Sequence, residues 1–189
     1  MHIELTDHLR CPQEHDEAYL VLLPDKMDRR QVVAGHLGCP ICGWNTAWTD
    51  NVPDFGGGWR SVEPLPFESG AEALLGIEGP GGWIALAGSA GALAPELMRI
   101  LPGVGIVAIN SPAAIGPDQT VSVILSGGWP LKGHSMRGVV LGRDAAGSMM
   151  SALSTTLPGL RVVGVGKPPD EALAAVIGRA GEVWVAKKR

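Results

Sequence analysis

After position 42 this 189-residue chain has no cysteine, and the three it carries, Cys11, Cys39 and Cys42, are an odd number. That excludes a disulfide framework and fits thiols kept in a reducing compartment. Basic charge is not in excess either: the net charge is −4 and the pI near 5.7, which argues against a nucleic-acid binder. The imbalance lies in residues 1–60, with 5 Lys and Arg against 9 Asp and Glu, while the rest is neutral. No run is long and apolar enough to span a bilayer, since the uncharged stretch 79–95 is short and rich in Gly and Pro. The first ten residues hold Glu4 and Asp7 and no apolar core, so no secretory leader is expected and a cytoplasmic location is. The 27 glycines and 15 prolines show no collagen-like period and imply tight turns. What remains is a chain with 46% apolar residues, enough for one ordinary domain and a small module.

The cysteines carry the sharpest signal. Cys39-Pro40-Ile41-Cys42-Gly43 is a knuckle that turns two thiolates toward one ion. Cys11 supplies a third ligand, and His15, four residues on, is the nearest fourth. His8 is also near Cys11 and remains an alternative, whereas His36 lies in a strand pattern and reads as a surface residue. Three sulfurs and one nitrogen make a closed, structural zinc site.

Residues 19–23 and 31–37 read as strands around a polar turn at 24–30, so that residues 1–59 form a small metal-stabilised unit. The stretch 55–66, with three consecutive glycines and two prolines, reads as the join, with the linker set at 60–67. From 68 onward short apolar strands alternate with helices. Strands are expected at 82–87, 105–109, 121–125, 138–141, 160–165 and 182–186, and helices at 68–76, 92–101, 144–157 and 169–180. This alternation predicts an α/β, Rossmann-like fold with a mostly parallel sheet covered on both faces. Gly88-Ser89-Ala90-Gly91 stands at the first strand-to-helix turn, where backbone amides can meet a ligand. No Gly-Lys-Ser/Thr follows, so a nucleotide-triphosphate loop is excluded. Ala87 stands where a serine-nucleophile elbow needs glycine, and no paired carboxylates or Ser/His/Asp arrangement is present. His134 and Asp118 read as loop residues and Asp144 as a helix N-cap. The six tryptophans read as core and join packing, or as an exposed patch for a partner.

Two resemblances add to this. Cys11-Pro12, Gly35-His36-Leu37-Gly38-Cys39-Pro40-Ile41-Cys42-Gly43 and Asp50-Asn51-Val52-Pro53 together resemble the zinc-ribbon activator subunit of tRNA and rRNA methyltransferases. The first knuckle departs from that family: its second cysteine is missing and His15 stands one position late. Residues 68–189 resemble a class I S-adenosylmethionine-dependent methyltransferase, through Trp129-Pro130-Leu131, Leu157-Pro158-Gly159-Leu160 and Arg179-Ala180-Gly181. The resemblance implies S-adenosylmethionine at Gly88, Ser89, Ala90, Gly91, Asn110 and Ser111, zinc at the ribbon, and a protein partner such as an active methyltransferase or its substrate. The glycine loop, however, has no acid and fewer glycines than the family's. Asn110 stands where the family has a ribose-binding acid, and Arg137-Gly138 where strand four has its acid. Exchanging a carboxylate for an amide weakens charge-assisted hydrogen bonds by roughly 1–2 kcal/mol. The expectation is a catalytically reduced binding or scaffold module, with an active methyltransferase bearing a divergent loop as the alternative.

Overall fold

The computed structural model describes residues 1–65 and 70–189. The start of the expected helix 68–76 and the end of the expected linker 60–67 fall on 66–69, outside the described residues. Two sheets are present among the described residues. Strands β1 (Val21–Asp28), β2 (Gln31–Gly38) and β3 (Asn45–Trp48) form an antiparallel three-stranded sheet in sequence order. The residues expected to turn at 24–30 instead continue β1 to Asp28, and the reversal is made at Arg29, whose φ is +55. Bulges on either side of Lys26 absorb Pro24 within this edge strand.

The larger sheet has seven strands: β4 (Trp83–Ala87), β5 (Gly105–Ile109), β6 (Val121–Ile124), β7 (Met136–Leu141), β8 (Thr156–Val165), β9 (Ala174–Ala180) and β10 (Val183–Lys188). Their order is β6-β5-β4-β7-β8-β10-β9. The first five run parallel, and β10 is antiparallel to both β8 and β9. The α/β, Rossmann-like expectation therefore holds. The expected helix at 169–180 does not. An Ala-rich segment of good helix propensity is drawn instead into an edge hairpin, closed at Gly181 with φ +57 and paired to β10 from Val183↔Ala180 onward. The expected helix at 144–157 is a 3-10 turn at Arg143–Ser148 followed by α3 (Met149–Thr155).

The central strands are buried on both faces and sort their side chains by alternation. Ile84, Leu86, Ile106, Ala108, Val123, Val140 and Val163 point to one core, under α1 (Ala71–Leu75) and α2 (Ala94–Ile100). Trp83, Ala85, Ala87, Val107, Ile109, Val139 and Val162 point to the other. That second face is covered by α3 and by the amino-terminal residues, whose Met1, Leu5, Leu9, Val32, Leu37 and Trp48 enter the same cluster. The three-stranded sheet is thus a layer on the larger one. Leu9 bridges to Leu131, Arg10 donates to the Pro130 carbonyl, and Lys132 donates to that of His8. No helix among the described residues is long and apolar enough to cross a membrane.

Candidate functional site

Two places gather chemistry. The first lies at the end of the three-stranded sheet. Cys39 closes β2, where its N–H donates to the Trp44 carbonyl and its own carbonyl accepts from Gly43. This turn carries Cys39 and Cys42 to Cys11 and His15, and the four ligand atoms lie within 4.8 Å of one another. Cys11 and Cys42 sulfurs are 3.6 Å apart, and Cys39 Sγ is 3.4 Å from His15 Nε2. A tetrahedral ion with metal–sulfur bonds of about 2.3 Å places its ligands about 3.7 Å apart, so the donor set fits a metal. The His15 ring is oriented for it: Nδ1 sits 2.6 Å from the Asp16 carbonyl and donates there, which leaves the Nε2 lone pair facing the sulfurs. His8 is not in the group; its ring lies 6.1 Å from that of Trp83. His36 is on the surface, 3.0 Å from Asp25.

The thiols differ in acidity. Burial pushes Cys11 up to about 11, against the Gln13 amide, with Cys42 and Cys39 adding to the rise. Burial acts upward on Cys39 too, but the amides of Cys42 and Ile41 and the neighbouring thiols outweigh it and bring it down to about 6. Protein groups thus favour an anion at Cys39, the form a metal needs.

The second place is the carboxyl edge of the large sheet, between the loops after β4 and β7. These loops leave toward opposite faces, which opens a crevice in folds of this class. Here the chain's own groups occupy it. Gly88 has φ +62, and a Cβ there would sit 2.2 Å from Asp144 Oδ1. That carboxylate accepts from Ser89 N at 2.9 Å, from Ser89 Oγ at 3.2 Å, and on its other oxygen from Ser61 Oγ. Asp144 is therefore no N-cap, as its spacing had predicted; Gly142 takes that position, and Asp144 ties three segments together instead. Ser89, Ala90 and Ser111 have no exposed surface, and Gly91 packs so tightly on Ser111 that a Cβ would lie 2.4 Å from its Cβ.

Asn110, at the end of β5 with φ +52, spends its amide on the next loop. Nδ2 donates to the Ser126 carbonyl at 2.6 Å and Oδ1 accepts from Ser126 N at 2.9 Å. A carboxylate there would keep the second bond and lose the first. Oδ1 also lies 3.4 Å from Trp59 N, and the Asn110 carbonyl accepts from Ser61 N. Trp59 and Ser61 belong to a strap, residues 53–61, that follows the end of β6. Leu125 N donates to the Pro53 carbonyl, Phe55 N to that of Leu125, and Gly127 N to that of Gly56. Gly58 comes so close that a Cβ would be 2.4 Å from that of Leu125. The Gly- and Pro-rich composition that reads as a linker begins in this strap.

A cavity of about 220 Å³ remains, lined by Gly88, Asn110, Trp59, Trp129 and Asp144 among others. It is smaller than the roughly 300–1,000 Å³ of ordinary small-molecule sites. The proposed S-adenosylmethionine set thus divides, with Gly88 and Asn110 on the wall and Ser89, Ala90, Gly91 and Ser111 behind it. Sequence reasoning passed over Ser61 and Ser126, for which no local signal exists, and misassigned Asp144. Arg137 lies at the other edge, where its guanidinium holds the carbonyls of Glu78, Gly79, Pro80 and Gly81. His134 is exposed on a loop, as expected, and lines neither place. Of the tryptophans, Trp48, Trp83 and Trp184 are buried and Trp59 is exposed.

No family model and no curated protein matches the chain. Solved structures align with about half of the chain. The complex between the Haloferax volcanii Trm112 methyltransferase activator and a chain described as a methyltransferase aligns at 15% identity and TM-score 0.39, over 50% of each chain. Geranyl diphosphate C-methyltransferase from Streptomyces coelicolor aligns at 14% identity and TM-score 0.42, over 57% of this chain and 56% of that one. A phosphoethanolamine N-methyltransferase from Haemonchus contortus aligns at 15% and 0.41, over 54% of this chain and 29% of that one. The aligned part spans about half the length of these proteins or less. The fold is a Rossmann-like α/β fold with a mostly parallel seven-stranded sheet, and the Cys/His cluster beside it has the spacing that a metal ion requires.

Proposed function

We propose that this chain is a zinc-stabilised, methyltransferase-like protein that has lost methyl transfer and serves as a binding or scaffold module. Residues 1–59 form its zinc ribbon, of the methyltransferase-activator kind, 60–67 the join and 68–189 the Rossmann-like domain. Zinc, held by Cys11, His15, Cys39 and Cys42, supplies a closed structural cross-link and no open coordination position. Three thiol ligands fit a reducing, cytoplasmic setting. The partner in this reading is a protein, an active methyltransferase or its substrate.

One observation carries the loss of catalysis. The Asp144 carboxylate, bound to Ser89 and Ser61, narrows the crevice that a nucleotide-sized cofactor would need to a cavity of about 220 Å³. The pairing of Asn110 with Ser126 supports the same reading, since it uses the amide that would face a ribose. Isothermal titration of the zinc-loaded protein with S-adenosylmethionine and S-adenosylhomocysteine tests it. The expected result is no saturable heat at millimolar ligand. Micromolar binding would overturn the reading and restore the alternative, an active S-adenosylmethionine-dependent methyltransferase with a divergent loop.

A further inference from the structure

The cavity at the carboxyl edge is small, but its lining is selective. Among its lining residues Asp144 is the one bearing formal charge, and Trp59 and Trp129 are the aromatic ones; the rest are glycine, serine, alanine, isoleucine and Asn110. All donors to the Asp144 carboxylate are neutral: the Ser89 amide and the hydroxyls of Ser89 and Ser61. Among the described residues no Lys, Arg or His nitrogen lies within salt-bridge distance of it; the neighbouring Arg143 pairs with Glu182 instead. Two oxygens offer about four acceptor sites, and three are taken, which leaves one. Trp129 is held in place, its Nε1 donating to Thr155 Oγ1 at 2.7 Å. Trp59 is 38% exposed at the mouth, on the strap.

A carboxylate with hydrogen-bond donors but no cationic partner, in a cavity also lined by two tryptophans and too small for a nucleotide, is the chemistry that selects an organic cation. The carboxylate supplies the charge, and the tryptophans supply negative π-faces that attract alkylated ammonium groups without needing a hydrogen-bond donor. We propose that this cavity binds a small alkylammonium ion, quaternary or tertiary, with Asp144 as counter-ion and Trp59 and Trp129 as its aromatic walls. The inference goes beyond the function proposed above and fails separately from it. Titration with S-adenosylmethionine decides that reading, and titration with choline decides this one.

The test compares choline with 3,3-dimethylbutan-1-ol, which has the same shape and no charge. Both are titrated into the zinc-loaded full chain and followed by tryptophan fluorescence and by calorimetry. Choline is expected to saturate, with the neutral isostere at least tenfold weaker, and Asp144→Asn and Trp59→Leu are each expected to weaken choline at least tenfold. Should Asp144→Asn fail to fold, Trp59→Leu still decides, because the exposed indole can be removed while its backbone contact to Asn110 stays. A trimethyl-lysine peptide forms the second arm; the tighter of the two ligands tells whether the cation comes free or on a protein side chain. Absence of saturation by either ligand at tens of millimolar, equal binding of the neutral isostere, or unchanged choline binding by Trp59→Leu would overturn the proposal.

Discussion

The metal cluster and the carboxyl-edge crevice are both gatherings of polar side chains, yet they are built in opposite ways. At the cluster three sulfurs and one imidazole nitrogen converge on a common point, and the second nitrogen of the ring is held by a backbone carbonyl. At the crevice the polar groups have found one another, carboxylate to hydroxyl and amide to peptide. A place prepared for a ligand keeps its donors pointed inward and unsatisfied by the protein. A place that has closed spends them on itself. On this contrast the donors of the cluster face a common point, and those of the crevice mostly face one another.

The sharpest way to break the comparison is to remove the metal. Structural zinc contributes about 10–16 kcal/mol of apparent binding free energy, which is comparable to the about 5–15 kcal/mol that holds a typical domain together. Cys39→Ser, or chelation, should therefore abolish the three-stranded sheet. Because Leu37, Trp48 and Leu9 lie in the cluster that covers one face of the large sheet, the loss should spread and lower the unfolding temperature of the whole chain by more than about 10 °C. Scanning calorimetry with parallel zinc analysis checks this. A metal-free protein that melts unchanged would show that the four ligands are incidental.

A smaller effect is expected at Asn110→Asp. If the crevice is framework, the new carboxylate loses the bond to the Ser126 carbonyl and faces that oxygen across a distance of 2.6 Å. Stability should fall by about 1–3 kcal/mol, read from urea unfolding, with no gain in affinity for S-adenosylmethionine. Tighter cofactor binding without destabilisation would mean that the crevice is a site after all.

The smallest effect is a pH slope. Burial holds His2 and His8 below the ordinary 6.5, helped by Arg30 at His2 and by Lys132, against Asp7, at His8. Below about pH 6.5 the unfolded chain binds protons that the folded chain refuses, so stability falls as pH drops from about 7 toward 5. Urea midpoints at those two values, in wild type and His8→Asn, separate this from acid release of the metal. The variant should show the shallower slope.

Much of this was legible in the sequence, for local reasons. Runs such as Trp83–Ala87 and Gly105–Ile109 are apolar throughout, which a buried parallel strand requires. The knuckle spacing of Cys39 and Cys42 fixes their convergence, and Cys11 and His15 complete the group. The failures have non-local causes. Residues 174–180 prefer a helix in isolation and become strand β9 because β10 offers an edge to pair with. Asp144 has the look of a cap, but its partner Ser89 lies 55 residues away. Residues 53–61 have a linker's composition, and only the tertiary structure shows them bonded to the end of β6.

The shared core also sets an order of events in synthesis. His2 bonds to Ser122 on β6 and Leu9 bridges to Leu131, and Met1, Leu5 and Leu9 share an apolar cluster with Ile124, Leu131 and Met136, so side chains near the start of this sequence are covered only after the strands as far as β7 have emerged. Contacts this distant along the chain close slowly. The ligands Cys11 to Cys42 lie within the first quarter, and an ion captured there would give the nascent segment a cross-link long before its apolar face has a sheet to cover. Metal loading during translation would then be the early, local step, and docking of the layer the late one.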